Sequence, residues 1–260
     1  MATLGLLTVS GRVKAIRLLC PYEQRQVAKE IPGSRWNARS SEWRLPASEL
    51  TIKEAMKAFP QIGMTQECRK WYDLVMKRRY EISKLKSRKD ADLPWKNALV
   101  STLFPYQRVD IDVARKQRRI LLAGDMGTGK TVTALVASEL SGHKRVLIIC
   151  KLAAKWTWGK EIEKWLGSDD YIIVDGDKKK RSDQIAQGKD KKYTIINHDT
   201  LLTKVGRKFE PNPELLQQKY DLLIVDEAHR YKNRKTKRTK VAHQLAKNTT
   251  DLYLLTGTPI

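Results

Sequence analysis

Apolar and polar positions divide this chain into two stretches with different periods. In the first, up to about residue 60, apolar residues come in short and partly alternating runs. Leu7-Thr-Val-Ser-Gly-Arg-Val-Lys-Ala-Ile-Arg-Leu-Leu19 alternates on both sides of Ser10-Gly11, which predicts a hairpin. After Pro21, the stretch Tyr22 to Ile31 puts Val27, Ala28 and Ile31 on one helical face, and Pro32-Gly33 closes it. Arg35 to Leu45 predicts two short strands about a polar turn, with Trp36 and Trp43 on either side. In residues 65–89 Trp71, Leu74, Val75, Ile82 and Leu85 fall near helical spacing, beside Arg78, Arg79, Lys84, Lys86, Arg88 and Lys89. That predicts a connecting helix with one packed face. Asp90 to Trp95, which holds Pro94, predicts a linker.

From about Leu99 the pattern changes. Apolar runs recur at Arg119–Ala123, Val146–Cys150, Tyr171–Val174, Thr194–Asn197, Leu222–Asp226 and Leu252–Leu255, with helical or loop segments between them. These runs are continuous rather than alternating, so both faces of each strand are buried. Buried strands joined by crossovers make a parallel α/β sheet. The lysine-rich stretch Lys178 to Lys192 predicts an exposed helix and loop.

The residues between the first two of those runs carry candidate chemistry. Gly124-Asp125-Met126-Gly127-Thr128-Gly129-Lys130-Thr131 reads G-x-x-x-x-G-K-T, with a strand-type run before it and a helical run, Val132 to Leu140, after it. Strand, glycine loop and helix is the context a phosphate-binding loop requires. Residues 124 to 129 turn backbone N–H groups around an anion, and the helix N-terminus adds the positive end of its dipole. Lys130 is then placed for the β- and γ-phosphates and Thr131 for Mg²⁺, so ATP and Mg²⁺ are the expected cofactors. A glycine turn capping an ordinary helix is the plainer alternative, and the flanks argue against it. A second constellation follows about a hundred residues later. Asp221-Leu-Leu-Ile-Val-Asp226-Glu227-Ala228-His229 sets two acids at the end of an apolar strand, the end that faces the ligand crevice in an open α/β sheet. Asp226 is the expected second Mg²⁺ ligand and Glu227 the expected general base for an attacking water.

Charge adds a partner. Lys and Arg number 51 against 29 Asp and Glu, a formal net charge of +22, which favours a polyanion, nucleic acid first. Trp36 and Trp43 then have two readings, as core plugs or as a stacking platform for bases. The basic run Arg230 to Lys240 is a solvated face or a phosphate contact. No apolar run has the length of a membrane span, and Met1-Ala-Thr-Leu-Gly-Leu-Leu7 lacks the pattern of a signal peptide. Cys20, Cys68 and Cys150 lie far apart without C-x-x-C spacing, which suggests a reducing interior and no structural zinc.

Taken as a set, the motifs from Leu99 to Ile260 resemble the first lobe of the superfamily-two helicase-like ATPases, most closely the Swi/Snf-type double-stranded DNA translocases. The motifs are Phe104-Pro-Tyr-Gln107, the phosphate loop, Val146 to Trp158 with Glu161, Ile195 to Leu201, D-E-A-H at 226–229, and Leu255-Thr-Gly-Thr-Pro259. The resemblance implies a RecA-like lobe in which Gln107 reads the adenine. It puts Lys151, Lys155, Trp158, His198, Arg230 and Lys232 on the DNA side, and it couples the two sites through His229, Thr256 and Thr258. Three departures stand out: Gly124 opens a loop that usually reads D-E-M-G-L-G-K-T, Lys151 replaces a proline, and His198 replaces a tyrosine. Val13 to Pro46 is similar to the HARP module that precedes the motor in annealing-helicase-type proteins and contributes to binding DNA, often at forks or strand junctions.

The expected organisation is α/β: a small α+β HARP-like module over 1–60, a helical connector and linker over 61–98, and a RecA-like P-loop lobe with a parallel sheet over 99–260. The expected function is ATP-dependent movement on or remodelling of DNA, duplex or forked and largely sequence-independent. Two alternatives remain: the first lobe of an RNA helicase, or a nucleotide- and DNA-binding module without turnover. A second lobe bearing arginine fingers is expected beyond Ile260, and these residues alone are expected to turn nucleotide over marginally at most. The compact inserts and the directly preceding module lean towards a bacterial or phage source and a cytoplasmic setting. A eukaryotic source implies the nucleus.

Overall fold

The computed structural model describes residues 1–95 and 97–258, in two compact units, Met1–Ser83 and the residues from Lys84 on. Pro259, the last residue of the T-G-T-P run, lies outside the described residues.

The first unit runs β1 (Thr3–Val9), β2 (Arg12–Leu19), α1 (Arg25–Glu30), β3 (Arg35–Asn37), β4 (Glu42–Pro46), α2 (Glu49–Ala58), β5 (Gly63–Met64) and α3 (Gln66–Lys86). Its sheet has the order β3-β4-β2-β1-β5. The hairpin turns at Ser10-Gly11 as the alternation predicts, and both residues take positive φ. One face of the sheet is the core: Leu4, Ile16, Leu18 and Leu45 pack with Ala28, Ile31, Ile52, Ala55, Phe59 and Cys68. Cys68, Trp71 and Tyr72 belong to α3 and pack on this core, so most of the expected connector is part of the first unit.

Because side chains alternate along a strand, the residues between those core positions face away from it. Arg17 pairs in register with Arg44, and Arg44 with Arg35, so the other face carries a row of three arginines. Trp36 and Trp43 divide their two readings between them. Trp43 packs on the core, whereas Trp36, on the edge strand, lies edge-on to it with ring centroids 5.5 Å apart and stays 53% exposed.

The second unit comprises α4 (Pro105–Gln117), β6 (Arg119–Leu122), α5 (Lys130–Leu140), β7 (Val146–Cys150), α6 (Lys155–Leu166), β8 (Tyr171–Ile173), α7 (Lys178–Gln187), β9 (Tyr193–Asn197), β10 (Leu202–Val205), β11 (Lys208–Pro211), α8 (Pro213–Gln217), β12 (Leu222–Val225), α9 (Lys237–Asn248) and β13 (Asp251–Leu255). All six predicted runs are strands of one parallel sheet, in the order β6-β13-β12-β7-β9-β8. Leu147, Ile149, Ile196, Leu223 and Val225 point to one face, against Ile185, Leu215, Val241 and Leu245 of α7, α8 and α9. Their neighbours Val146, Ile148, Ile195 and Ile224 are equally buried on the other face, which explains the unbroken apolar runs. The antiparallel pair β10–β11 is an addition that the apolar pattern did not announce.

At the amino-terminal edge of this sheet a polar cluster ties β6 to β13. Asp251 accepts from Arg118 Nε at 2.9 Å and lies 3.0 Å from His143 Nε2. His143 therefore helps to bind strand ends together. The opposite, carboxyl edge carries the chemistry.

Candidate functional site

The P-loop leaves β6, the T-G-T segment leaves β13, the two acids leave β12, and Lys151 follows β7. All four lie at carboxyl ends of adjacent parallel strands. β13 stands between β6 and β12, so the phosphate loop and the acids are two strand spacings apart, about 10 Å. That gap suits a phosphate group with a metal ion between loop and acids.

Gly127 and Gly129 take φ of +80° and +78°, which side chains rarely adopt. Gly129 is also crowded: a Cβ there would stand 2.2 Å from Gln107 Nε2. α5 starts at Lys130, two residues earlier than the apolar run indicates, so Lys130 and Thr131 open the helix. The Lys130 ammonium folds back on its own loop, donating to Gly124 O at 2.8 Å and Asp125 O at 2.7 Å. Thr128 Oγ1 donates to Asp125 O at 2.9 Å, bracing the same turn. Asp125, Met126 and Gly127 are exposed at the loop tip.

Gln107, expected at the adenine, is buried and holds the loop. Its Oε1 accepts from Phe104 N at 2.9 Å and its Nε2 donates to Thr128 O at 3.1 Å, which leaves one Nε2 hydrogen for a base. Beside it Phe104 and Tyr106 stack nearly parallel, 5.6 Å between centroids, and both are exposed. This aromatic pair is a candidate surface for a base that the motif reading missed. The signal was present in Phe104-Pro-Tyr106, whose proline starts α4 and sets both rings on one side.

Asp226 sits at the end of β12, partly buried, and the burial of its carboxyl pushes its pKa up. Oδ1 accepts from Glu227 N at 2.9 Å, and Trp158 Nε1 lies 3.4 Å from Oδ2. Glu227 has φ +52°, an uncommon value for a side-chain-bearing residue, of the kind found at functional turns. Its Oε1 pairs with Lys151 Nζ at 2.5 Å, and Lys151 holds the carboxyl below its usual range. His229 Nδ1 lies 3.3 Å from Glu227 Oε2, 3.2 Å from Thr256 Oγ1 and 3.5 Å from Thr258 Oγ1. The three expected coupling residues thus meet at one nitrogen next to the expected base. A Cβ on Gly257 would lie 3.3 Å from Met126 Cγ, so the T-G-T segment also adjoins the P-loop.

The oxygen donors of Thr131 and Asp226 fit Mg²⁺, a hard cation that keeps few protein ligands and shares its shell with phosphates. Among the described residues no group of three or more His, Cys, Asp or Glu is arranged to hold a metal.

Three DNA-side expectations need correction. Lys155 is 1% exposed and donates to Val174 O at 2.9 Å and Asp175 Oδ1 at 2.6 Å. Trp158 is 2% exposed and turned towards Asp226. His198 is 3% exposed, with Nδ1 2.7 Å from Tyr231 OH. None of these three side chains lies at the surface. On α6, Lys155, Trp158, Gly159 and Ile162 form the buried face at i, i+3, i+4 and i+7, and the exposed indole is Trp156. That spacing was legible once Lys155 is counted with the core. Arg230 and Lys232 are exposed, as a phosphate contact requires, and Lys151 is half-exposed.

Burial, with Arg230 and Arg238 nearby, pushes the His198 ring from its ordinary 6.5 down to about 4. The unfolded chain therefore binds the proton first. Stability is complete above pH 6.5 and falls as pH drops from there towards 4, by at most about 1.4 kcal/mol per pH unit. Urea unfolding across this range is expected to show a shallower acid-side loss in His198→Phe than in the wild type. Equal slopes would mean that His198 takes up its proton in the folded state.

Comparison with known proteins agrees with this arrangement. The chain matches the SNF2-related domain over residues 64–260. It belongs to the SNF2-related family. The bovine (Bos taurus) SWI/SNF-related matrix-associated actin-dependent regulator of chromatin subfamily A-like protein 1 is 28% identical over 89% of this chain and 24% of its own length. The homologue of that protein in Caenorhabditis elegans is 34% identical over 62% of this chain and 22% of its own length. The bovine DNA annealing helicase and endonuclease ZRANB3 is 31% identical over 62% of this chain and 15% of its own length. The chain thus spans about a quarter or less of these relatives. Among solved structures, the Sulfolobus solfataricus SWI2/SNF2 ATPase core in complex with dsDNA matches with a TM-score of 0.50 and 25% identity, over 60% of this chain and 32% of that one. The SNF2-related core explains the strand order and the clustering of the motifs at one sheet edge.

Proposed function

We propose that this SNF2-related chain binds Mg-ATP at the carboxyl edge of its parallel sheet and couples hydrolysis to movement on double-stranded DNA. The observation that carries the reading is the meeting of Glu227, His229, Thr256 and Thr258 within 3.5 Å contacts beside the P-loop. A site built only to hold nucleotide has no need to wire its base to a neighbouring strand exit. The relatives, among them a DNA annealing helicase and endonuclease and a SWI2/SNF2 ATPase core solved with dsDNA, support the same reading.

In this reading Lys130 exchanges its two loop carbonyls for phosphate oxygens. Thr131 and Asp226 would hold Mg²⁺, which would supply positive charge against the phosphates. Glu227 accepts the proton of the attacking water, and Trp158 fixes the Asp226 carboxyl. Gln107 keeps the loop in shape, with Phe104 and Tyr106 beside it for the base. Arg230, Lys232 and Trp156 face the DNA. Arg17, Arg35 and Arg44, with Glu42 pairing Arg17 and Arg44 among them, give the first unit a basic face of its own for phosphates, while the exposed Trp36 lies at the edge of the opposite face.

Backbone phosphates then dominate DNA affinity. Binding is expected to be largely sequence-independent and to weaken by about 10³-fold or more between about 50 and 200 mM salt. Removing residues 1–83 is expected to lower the preference for forked over plain duplex DNA, measured by competition in fluorescence anisotropy. A preference that survives the removal would take the module out of DNA recognition. The decisive test of the whole reading is hydrolysis by the full-length protein with single-stranded, duplex and forked DNA in parallel. A rate indifferent to all three would remove the motor function.

Among the described residues no helix is long and apolar enough to cross a membrane. The curated relatives named above are animal proteins, two of them named as regulators of chromatin or their homologue, and a nuclear setting follows for a eukaryotic source. These matches lend no support to a bacterial or phage source.

A further inference from the structure

Lys151 follows directly after β7, on the turn that leads into α6. Its ammonium lies 2.5 Å from Glu227 Oε1, while its side chain is 48% exposed against 17% for Glu227. The acid is fixed inside the site, and the lysine reaches it from the surface. The other group at that carboxylate, His229 Nδ1, faces Oε2, so Oε1 belongs to Lys151. On the same turn Lys155 is buried and committed to Val174 and Asp175. That leaves Lys151, with exposed Leu152 and Trp156, as the cation this segment can offer to a ligand.

A carboxylate held in an ion pair is a poor acceptor for the proton of water, because its lone pairs face a cation. An exposed ion pair is also weak, whereas a phosphodiester oxygen offers an ammonium a charge-assisted bond of comparable geometry. We propose that Lys151 is a latch on Glu227, closed on the carboxylate in the free protein and opened when a DNA backbone phosphate takes the ammonium. The inference rests on the reading above, in which the chain binds DNA and Glu227 activates water. Lys151 then acts through Glu227, as a positioning residue. It makes the readiness of the base depend on whether a strand occupies the surface.

Two anions competing for one cation are coupled, and the coupling is reciprocal. Taking the charge from Glu227 must free Lys151 for DNA. The gain must disappear when Lys151 is not there to be freed. A lysine that serves the fold alone gives independent effects in such a cycle.

The experiment is a double-mutant cycle on the intact chain, with the Kd for a short fluorescent duplex measured by anisotropy at several salt concentrations without nucleotide. Glu227→Gln is expected to tighten binding about two- to fivefold. Lys151→Met, which keeps the length of the side chain, is expected to weaken it and to reduce the slope of log K against log salt by about 0.9, the share of one phosphate contact. In the Lys151→Met background Glu227→Gln is expected to lose its gain, and Lys151→Arg is expected to restore it. An equal gain from Glu227→Gln in both backgrounds, or a salt slope unchanged by Lys151→Met, would overturn the latch and leave the DNA reading standing. A wild-type chain that fails to bind the duplex at all would overturn both.

Discussion

Lys130→Ala is expected to abolish nucleotide hydrolysis and to weaken Mg-nucleotide binding by about 10²-fold or more. The ammonium is the one cation in the loop, and it already lies against the carbonyls of Gly124 and Asp125. A triphosphate replaces those weak acceptors with charged ones, and alanine has nothing to offer in exchange. The fold is expected to survive. α5 is anchored by Val132, Ala134, Leu135, Val136 and Ala137, all buried, and Lys130 is only half-buried at its first turn. A change of less than about 1 kcal/mol in unfolding free energy is expected, since the lost contacts lie at a partly hydrated loop. Titration with a fluorescent ATP analogue beside a thermal melt separates the two effects. Near-normal affinity in a normally folded variant would show that the phosphates bind elsewhere.

Glu227→Gln is expected to leave nucleotide binding nearly intact while turnover in the full-length protein falls by about 10² to 10⁴. The amide keeps the shape of the side chain and can still approach His229, but it cannot take a proton from water. In the free protein Lys151 holds the carboxyl below its ordinary range, which keeps it ionised but paired, so the role of base requires that pair to open. The side chain is only 17% exposed and meets His229 at the strand exits rather than facing solvent. Pre-steady-state binding and steady-state hydrolysis on the same preparation decide the matter. A normal rate would pass the role of base to another group, and Asp226, whose pKa burial raises, is the acid beside it.

How much of the site was legible follows from how local each feature is. The P-loop was legible because its requirements are local: glycines at the positive φ of 127 and 129, an apolar strand before them and a helix start after them. The acids were legible for the same reason, as a pair closing an apolar run. The DNA side was not. It depends on which way each side chain of α6 points, and one lysine on the buried face misled the reading. Lys155 belongs to the core because its ammonium meets a carbonyl and a carboxylate at the end of a long apolar stem. Trp158 and His198 followed a motif to the surface on paper, yet they fill space behind Asp226 and against Tyr231.

By itself the sequence determined the α/β class, the six strands of the parallel sheet, the glycine loop and the pair of acids that closes a strand. Each of these rests on short-range physics: apolar runs that form strands, with both faces covered in β7, β9 and β12, glycines that favour positive φ, and charges at strand ends. The tertiary structure decided what lies beside what. It placed β13 between β6 and β12, which sets the distance from loop to acids. It brought His229 to Thr256 across 27 positions of chain and Lys151 to Glu227 across 76. It also moved most of the expected connector into the first unit, through the packing of α3. Strand order and long-range side-chain pairing follow from how whole elements share a core, and no window of sequence contains that information.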